Sequence, residues 1–387
     1  MAEGTTPLAT TSYVFSNVGI TAGIEYFARV QLETSDSTSA FSNVASLYAV
    51  QMPTWTNNFV NNPNQPKGSC AWYNSAVGAG QFLVAVGSQS GSNIDDPPLG
   101  CLGWSADSGA SWTMLPYNDV GCPRGLWKAV AYSPSSSIFL AVDAGAPQLA
   151  ITTNGQSWTT QPTPNNVQGV WVSWLRSRER FVLTTQSHGL WESTDATSWT
   201  QVYPGVGSPF YGMAQDLETN TVVSVQSTGS LVSTNSGVSW TASSFSSVQV
   251  FSGMFTVVWS PERHLFVAGG SFQPPGASET TSVIISSPDG ILWTVRQKLD
   301  MQLDVGSSMI SIVWTGKYFL GGVSLDNFPS TGYVPPLVYV SPDGFTWFLD
   351  SAAPTNAKWW FGATWNPTSQ HLVMSGVEGF GSASFQS

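Results

Sequence analysis

Charge is the scarcest property of this 387-residue chain: Asp, Glu, Lys and Arg make up 9% of it, against about 25% in an average soluble protein. Basic residues are fewer than acidic ones, 12 Lys+Arg against 23 Asp+Glu, for a formal net charge of −11. Neutralising phosphates needs a cationic stripe, so neither nucleic acid nor an anionic membrane is an expected partner. No run of 18 apolar residues occurs, and no membrane-spanning helix is expected. Residues 1–12 are polar and lack the charged start and apolar run of a secretory leader. No asparagine stands in an Asn-x-Ser/Thr acceptor, which leans away from a secreted glycoprotein. The three cysteines, Cys70, Cys101 and Cys122, show no CxxC spacing; buried thiols are favoured over a Cys101–Cys122 bridge. HExxH, GxSxG and Gly-rich phosphate loops are all missing. Of the three histidines, His264 and His371 occupy matching places in a repeat and His188 stands alone. Neither a metal nor a cofactor is expected.

What is present is apolar and aromatic. The hydrophobic fraction is 42%, with 18 Trp and 37 Gly, enough for a large core and too much for disorder. The length fits two or three ordinary domains or one large β domain. Internal repeats settle the choice. Ser105-x-Asp107-Ser-Gly109 leads to Trp112, and Thr152-x-Asn154-Gly155 to Trp158. Ser193-x-Asp195 leads to Trp199, Ser233-x-Asn235 to Trp240, Ser287-x-Asp289 to Trp293, and Ser341-x-Asp343 to Trp347. Each unit reads as a hairpin turn: Asp or Asn accepts backbone N–H bonds, Gly takes positive φ, and Trp plugs the space between sheets. These residues hold turns and are not catalytic.

Two further stretches recur ahead of the turns. One ends in an aromatic residue (Tyr132, Trp174, Trp259, Trp314, Trp365), and the other is apolar, as in Phe82-Leu-Val-Ala-Val, Phe139-Leu-Ala-Val and Phe266-Val-Ala. Four short strands per repeat make one propeller blade. The turn motif resembles the Asp box (BNR repeat) of sialidase-type β-propellers, and the resemblance covers nearly everything after residue 50. It implies an all-β, seven-bladed propeller of four-stranded blades over residues 51–387. The last repeat has an inner strand at Leu372–Ser375 and a further strand around Ala383–Gln386, but no box. Pro53-Thr54-Trp55-Thr56 looks like an outer strand without a blade, so the N-terminal strand is expected to close the last blade. Counted from Trp55, the tryptophans step by 57, 46, 41, 41, 53 and 54 residues.

Residues 1–50 form a separate expected unit. Asn17 to Gln31 and Ser39 to Ser46 look like the last half of a fibronectin type III module, with a turn at Ile24–Tyr26 resembling a tyrosine corner. A half-sandwich leaves an apolar face and an edge to cover, so this segment is expected to dock on other proteins or on copies of the chain.

The functional expectation is recognition. A sialidase needs three converging arginines with a Tyr–Glu pair and an acid Asp. Of seven arginines here, Arg29 precedes the ring, Arg176, Arg178 and Arg180 share one inner turn, and Arg263 lies in an equivalent turn, leaving Arg124 and Arg296. A two-carboxylate glycoside hydrolase stays as the alternative, with Asp119, Asp216 and Asp304 placed in or near mouth loops. The Ycf48-type photosystem assembly factors resemble the same ring, but would imply a lumenal leader and a basic patch. In style and composition the chain resembles bacteriophage virion proteins. That implies a non-enzymatic virion-surface propeller, made in the host cytoplasm, that serves as a structural subunit, binds host-surface glycan, or both. Long loops are expected at Gly87–Gly100, Gly269–Thr281 and Gly321–Pro336 on the face opposite the boxes. Their candidate ligand residues are Asp95, Asp96, Phe272, Asp326, Phe328 and Tyr333, with Tyr117 and Arg124 nearby. Aromatic faces and acids of this kind suit a neutral sugar.

Overall fold

A computed structural model describes residues 25–28, 45–48, 53–58, 71–89, 99–115, 122–205, 208–245, 251–273, 276–277, 279–299, 306–325, 337–353, 360–376 and 379–384. The chain divides into two compact units, Met1–Met52 and Pro53–Ser387. In the first, the described residues form one antiparallel pair, Glu25–Ala28 with Ala45–Tyr48.

The second unit is a propeller of seven four-stranded antiparallel sheets. Blade 1 runs through Ala71–Val77, Leu83–Gln89, Leu99–Ser105 and Thr113–Met114. The inner strands of blades 2 to 6 are Trp127–Ser133, Gly169–Leu175, Tyr211–Asp216, Phe251–Ser260 and Ser307–Trp314. In blade 7 the inner strand is Trp360–Asn366, and His371–Gly376, expected as inner, is second. Its third strand, Gly379–Ser384, takes Thr54–Asn58 as its outer partner, with Trp55 opposite Ala383. The N-terminal strand therefore closes the ring, as the repeat arithmetic requires. Each inner strand packs on the inner strand of the next blade, and that of blade 7 packs on that of blade 1.

Blades are covered on both faces, so their second strands are continuous apolar runs rather than alternating ones. All eight residues of Leu265–Phe272 are buried, as are Leu83 to Val86 and Phe139 to Val142. Glycine inside these strands has a packing reason. A Cβ on Gly269 would stand 2.5 Å from Met309 Cγ, and one on Gly321 would stand 2.7 Å from Met309 Sδ. The inner-strand methionine of blade 6 thus occupies the space that side chains would take on both flanking second strands. These glycines lie within strands, so the long connections are shorter than expected: 90–98, 273–280 and 326–336.

The repeated turns join third to outer strands and fasten neighbouring blades. In blade 5, Gly290 N donates to Ser287 Oγ (2.8 Å), Leu292 N to Asp289 Oδ1 (2.9 Å), and Trp293 Nε1 to Gly290 O (2.8 Å). The Asp or Asn bond recurs at Asp107 to Ser111 N, Asn154 to Ser157 N, Asp195 to Ser198 N, Asn235 to Ser239 N and Asp343 to Thr346 N. Trp112, Trp158, Trp199 and Trp347 repeat the indole bond to the turn. Trp158, Trp293 and Trp347 are buried, and Trp240 is half-buried. Each turn also abuts the preceding blade: a Cβ on Gly290 would meet Val223 of blade 4, and one on Gly109 would meet Val373 of blade 7.

Cys101 is disulfide-bonded, against the expectation of a thiol there, and Cys122 keeps a buried thiol, so the two are not joined to each other.

Candidate functional site

A ring of tilted sheets leaves a channel on its axis, and here every inner strand contributes to its wall. Each of the seven inner strands also breaks register with its second strand by a bulge. Bulges sharpen twist and re-aim side chains, which lets seven strands converge without clashing. Hydrogen bonds pass directly between neighbouring inner strands: Val130 N donates to Asn74 Oδ1 (3.3 Å), and Ile312 N to Thr256 Oγ1 (3.2 Å).

The channel holds a cavity of about 390 Å³ lined from all seven blades. Asn74, Ser173, Thr256, Ser311 and Thr364 supply polar groups to it, and Tyr132, Trp171, Trp174, Phe361 and Trp365 supply aromatic ones. Pro134 and Arg176, in the turns between inner and second strands, also line it, so the cavity reaches the face that carries the repeated turns. No lining residue is acidic. Tyr132, Trp174, Trp259 and Trp314 pack tilted or edge-on against the second-strand phenylalanines Phe139, Phe181, Phe266 and Phe319, with centroids 4.4–4.9 Å apart. Those four, with Trp365, form the inner-strand aromatic series of the sequence. The sequence reading treated that series as a strand marker and missed that three of its members wall a cavity.

Several of the described carboxylates are committed elsewhere. Asp143 Oδ1 accepts from Leu126 N and Gly145 N, Asp350 Oδ1 from Ala352 N, and Glu192 pairs with Arg178 and Arg180. Asp216, expected near the mouth, is a correction. It is buried at the end of an inner strand on the repeated-turn face, with Oδ1 taking Glu218 N (3.0 Å). It caps the same turn that Ser260 and Asn366 cap in blades 5 and 7. At the repeated turns, the backbone N–H of Ser198, outweighing burial, holds Asp195 well below the usual carboxylate range. At Asp107 and Asp289 burial pushes the carboxyl up, but the combined hydrogen bonds pull it further down. Burial alone lowers the Lys128 ammonium and raises the Tyr211 and Tyr339 phenols. Among the described residues no group of three His, Cys, Asp or Glu could hold a metal ion.

Of the loop-face candidates, Asp95, Asp96, Tyr117, Asp326, Phe328 and Tyr333 lie outside the described residues, as do Asp119 and Asp304. Arg124 is exposed, and its carbonyl accepts from Gln148 Nε2 (2.7 Å). Phe272 is not available for stacking on a sugar. It ends a second strand 5% exposed within the core between blades 4 and 5, with Lys298 Nζ 4.1 Å over its ring.

No protein-family model matches the sequence, and neither does any curated protein. Solved structures do match. YCF48 bound to a D1 peptide is similar with a TM-score of 0.58 at 12% identity, over 88% of this chain and 99% of that one. The GH74 xyloglucanase from Xanthomonas campestris gives 0.57 at 15% identity; 85% of this chain is covered, but only 53% of the xyloglucanase. Sqt1 from Chaetomium thermophilum gives 0.52 at 14% identity, over 83% and 82% of the two chains. At such identities these likenesses carry the fold and not the activity: the chain from Pro53 onward is a seven-bladed β-propeller.

Proposed function

We propose that this propeller is a non-catalytic recognition subunit of a phage particle surface, that its repeated turns are Asp boxes, and that it reads glycans. Residues 1–50, as a fibronectin-like half-module, attach it to other virion proteins or to its own copies. The observation that carries recognition is the axial cavity, walled by aromatic and hydroxyl side chains with no acid among its lining residues. Aromatic faces cover the C–H faces of sugars, and hydroxyls exchange hydrogen bonds with them. Glycoside hydrolysis needs two carboxyl groups flanking the scissile bond, and Asp143, Asp216 and Asp350 are committed to backbone N–H groups. One of the similar rings, YCF48, is bound to a D1 peptide, and another is a GH74 xyloglucanase; recognition through a ring of this shape accords with both.

The test is a glycan array probed with the full chain, followed by a reducing-end release assay on every hit. Binding without release is the expected result. Release of sugar, or an array with no hit, overturns the reading. Immunogold labelling of intact particles tests the virion assignment. The Phe328→Ala/Tyr333→Ala variant tests whether the loop face carries host-glycan binding: it should lose binding at an unchanged melting temperature.

A further inference from the structure

One arginine cluster has no role in that reading. Arg176, Arg178 and Arg180 stand together around the inner turn of blade 3. Glu192, on the third strand of the same blade, lies 2.7 Å from Arg178 Nη1 and 3.4 Å from Arg180 Nη1. One buried carboxylate thus serves two of the three guanidinium groups. Arg176 is exposed, has no ion pair among the described residues, and lines the axial cavity. In a chain of net charge −11, a cavity with an uncommitted guanidinium and no acidic lining residue is a local site for an anion.

Its surroundings narrow the anion's chemistry. Tyr132, Trp174 and Trp365, from blades 2, 3 and 7, line the same cavity and are each half-buried. The guanidinium fork matches a planar carboxylate, and indole and phenol faces match the C–H face of a pyranose.

We infer that the turn-face end of the channel binds the carboxylated unit of an acidic glycan, a hexuronate, with Arg176 on its carboxylate and Tyr132, Trp174 and Trp365 around its ring. The inference rests on the glycan-recognition reading and deepens it at the same axial cavity, whose turn-face end would select acid where the long loops would select neutral sugar.

The experiment is calorimetric titration of the full chain with a hexuronate trisaccharide and with its carboxyl-reduced counterpart. The acid form is expected to bind at least tenfold more tightly. Arg176→Gln should erase that preference at an unchanged melting temperature, because the side chain is exposed and makes no ion pair among the described residues. Trp174→Ala should weaken both forms at least tenfold. Because Trp174 packs on Phe181, that variant is read together with its melting curve and with Trp174→Phe, which keeps an aromatic ring there and should restore binding of both forms. Phe328→Ala/Tyr333→Ala should leave the acid preference intact. Equal affinity for the two sugars, or a preference that survives in Arg176→Gln, overturns this inference while leaving glycan recognition standing. Failure of every glycan on the array to bind overturns both.

Discussion

The ring is fastened where Thr54–Asn58 enters blade 7, and one hydrogen bond there joins that strand to the neighbouring blade. Trp55 Nε1 donates to Asp350 Oδ2 at 2.7 Å, across 295 residues of sequence. Asp350 is 3% exposed, so Oδ2 cannot turn to water when the donor is removed. Trp55→Phe keeps most of the packing and deletes the N–H. A hydrogen bond to a charged group contributes about 1.5–3 kcal/mol, and the half-burial of Trp55 argues for the lower end. Unfolding entropy near 60 °C is about 2.1 cal/mol/K per residue, or roughly 0.7 kcal/mol/K for a ring of this size, so a loss of ~1.5–2 kcal/mol lowers Tm by about 2–3 °C. Trp55→Ala also removes the ring and should cost about 3–5 kcal/mol. The decisive assay is a double-mutant cycle of Trp55→Phe with Asp350→Ala in urea, with an expected coupling of about 1.5 kcal/mol. Coupling below about 0.3 kcal/mol, the level at which independent sites add, would refute the view that this bond fastens the ring.

Gly290→Ala combines a φ of +74° with a Cβ placed 2.3 Å from Val223 Cγ2. Strain and overpacking each cost about 1–3 kcal/mol, and a urea midpoint equal to wild type would contradict the geometry. Hydrogen bonds in the turns hold Asp107, Asp195 and Asp289 below the ordinary carboxylate range when folded; their contribution is present above the unfolded carboxylate value near 4 and is lost as pH falls through the depressed folded values. Acid unfolding should therefore begin below about pH 4, and Asp195→Asn should flatten the stability–pH curve there; a parallel curve for that variant would contradict this. Deleting residues 1–50 while keeping Pro53 to Asn57 should leave the ring's melting curve intact and abolish particle incorporation or self-association. Normal assembly of the truncated chain would reduce the segment to a cap.

The fold was legible because the repeated turn is a local device: Ser or Thr, Asp or Asn, and Trp at fixed offsets make their bonds within a few residues. Closure was legible for the same reason, since Trp55 is a turn tryptophan without a turn. What escaped depends on contacts far apart in sequence. Gly269 and Gly321 read as loop starts because their reason, Met309, lies in another strand. Phe272 read as a loop aromatic because its strand runs three residues beyond Gly269. Asp216 could have been placed correctly, for it falls where Ser260 and Asn366 cap the equivalent turns, and the Ser-Pro and Asn-Pro repeats carry that signal. In the sequence Arg176 is one of three arginines sharing an inner turn, and only the position of Glu192 separates it from Arg178 and Arg180.

The pairing of Thr54–Asn58 with Gly379–Ser384 also governs the order of events during synthesis. The ribosome delivers Thr54–Asn58 first, yet its partner emerges only after six blades have been made. Throughout elongation the nascent chain carries a strand with unsatisfied edges at its front and a growing arc of blades behind it. The last step of folding is then a capture over more than 300 residues, slow by the rule that distant contacts form late, and open until then to pairing with another chain. A cut between any two blades, with the old ends joined by a linker, would move the captured strand back beside its partner. The permuted ring should fold faster than the natural one at similar stability.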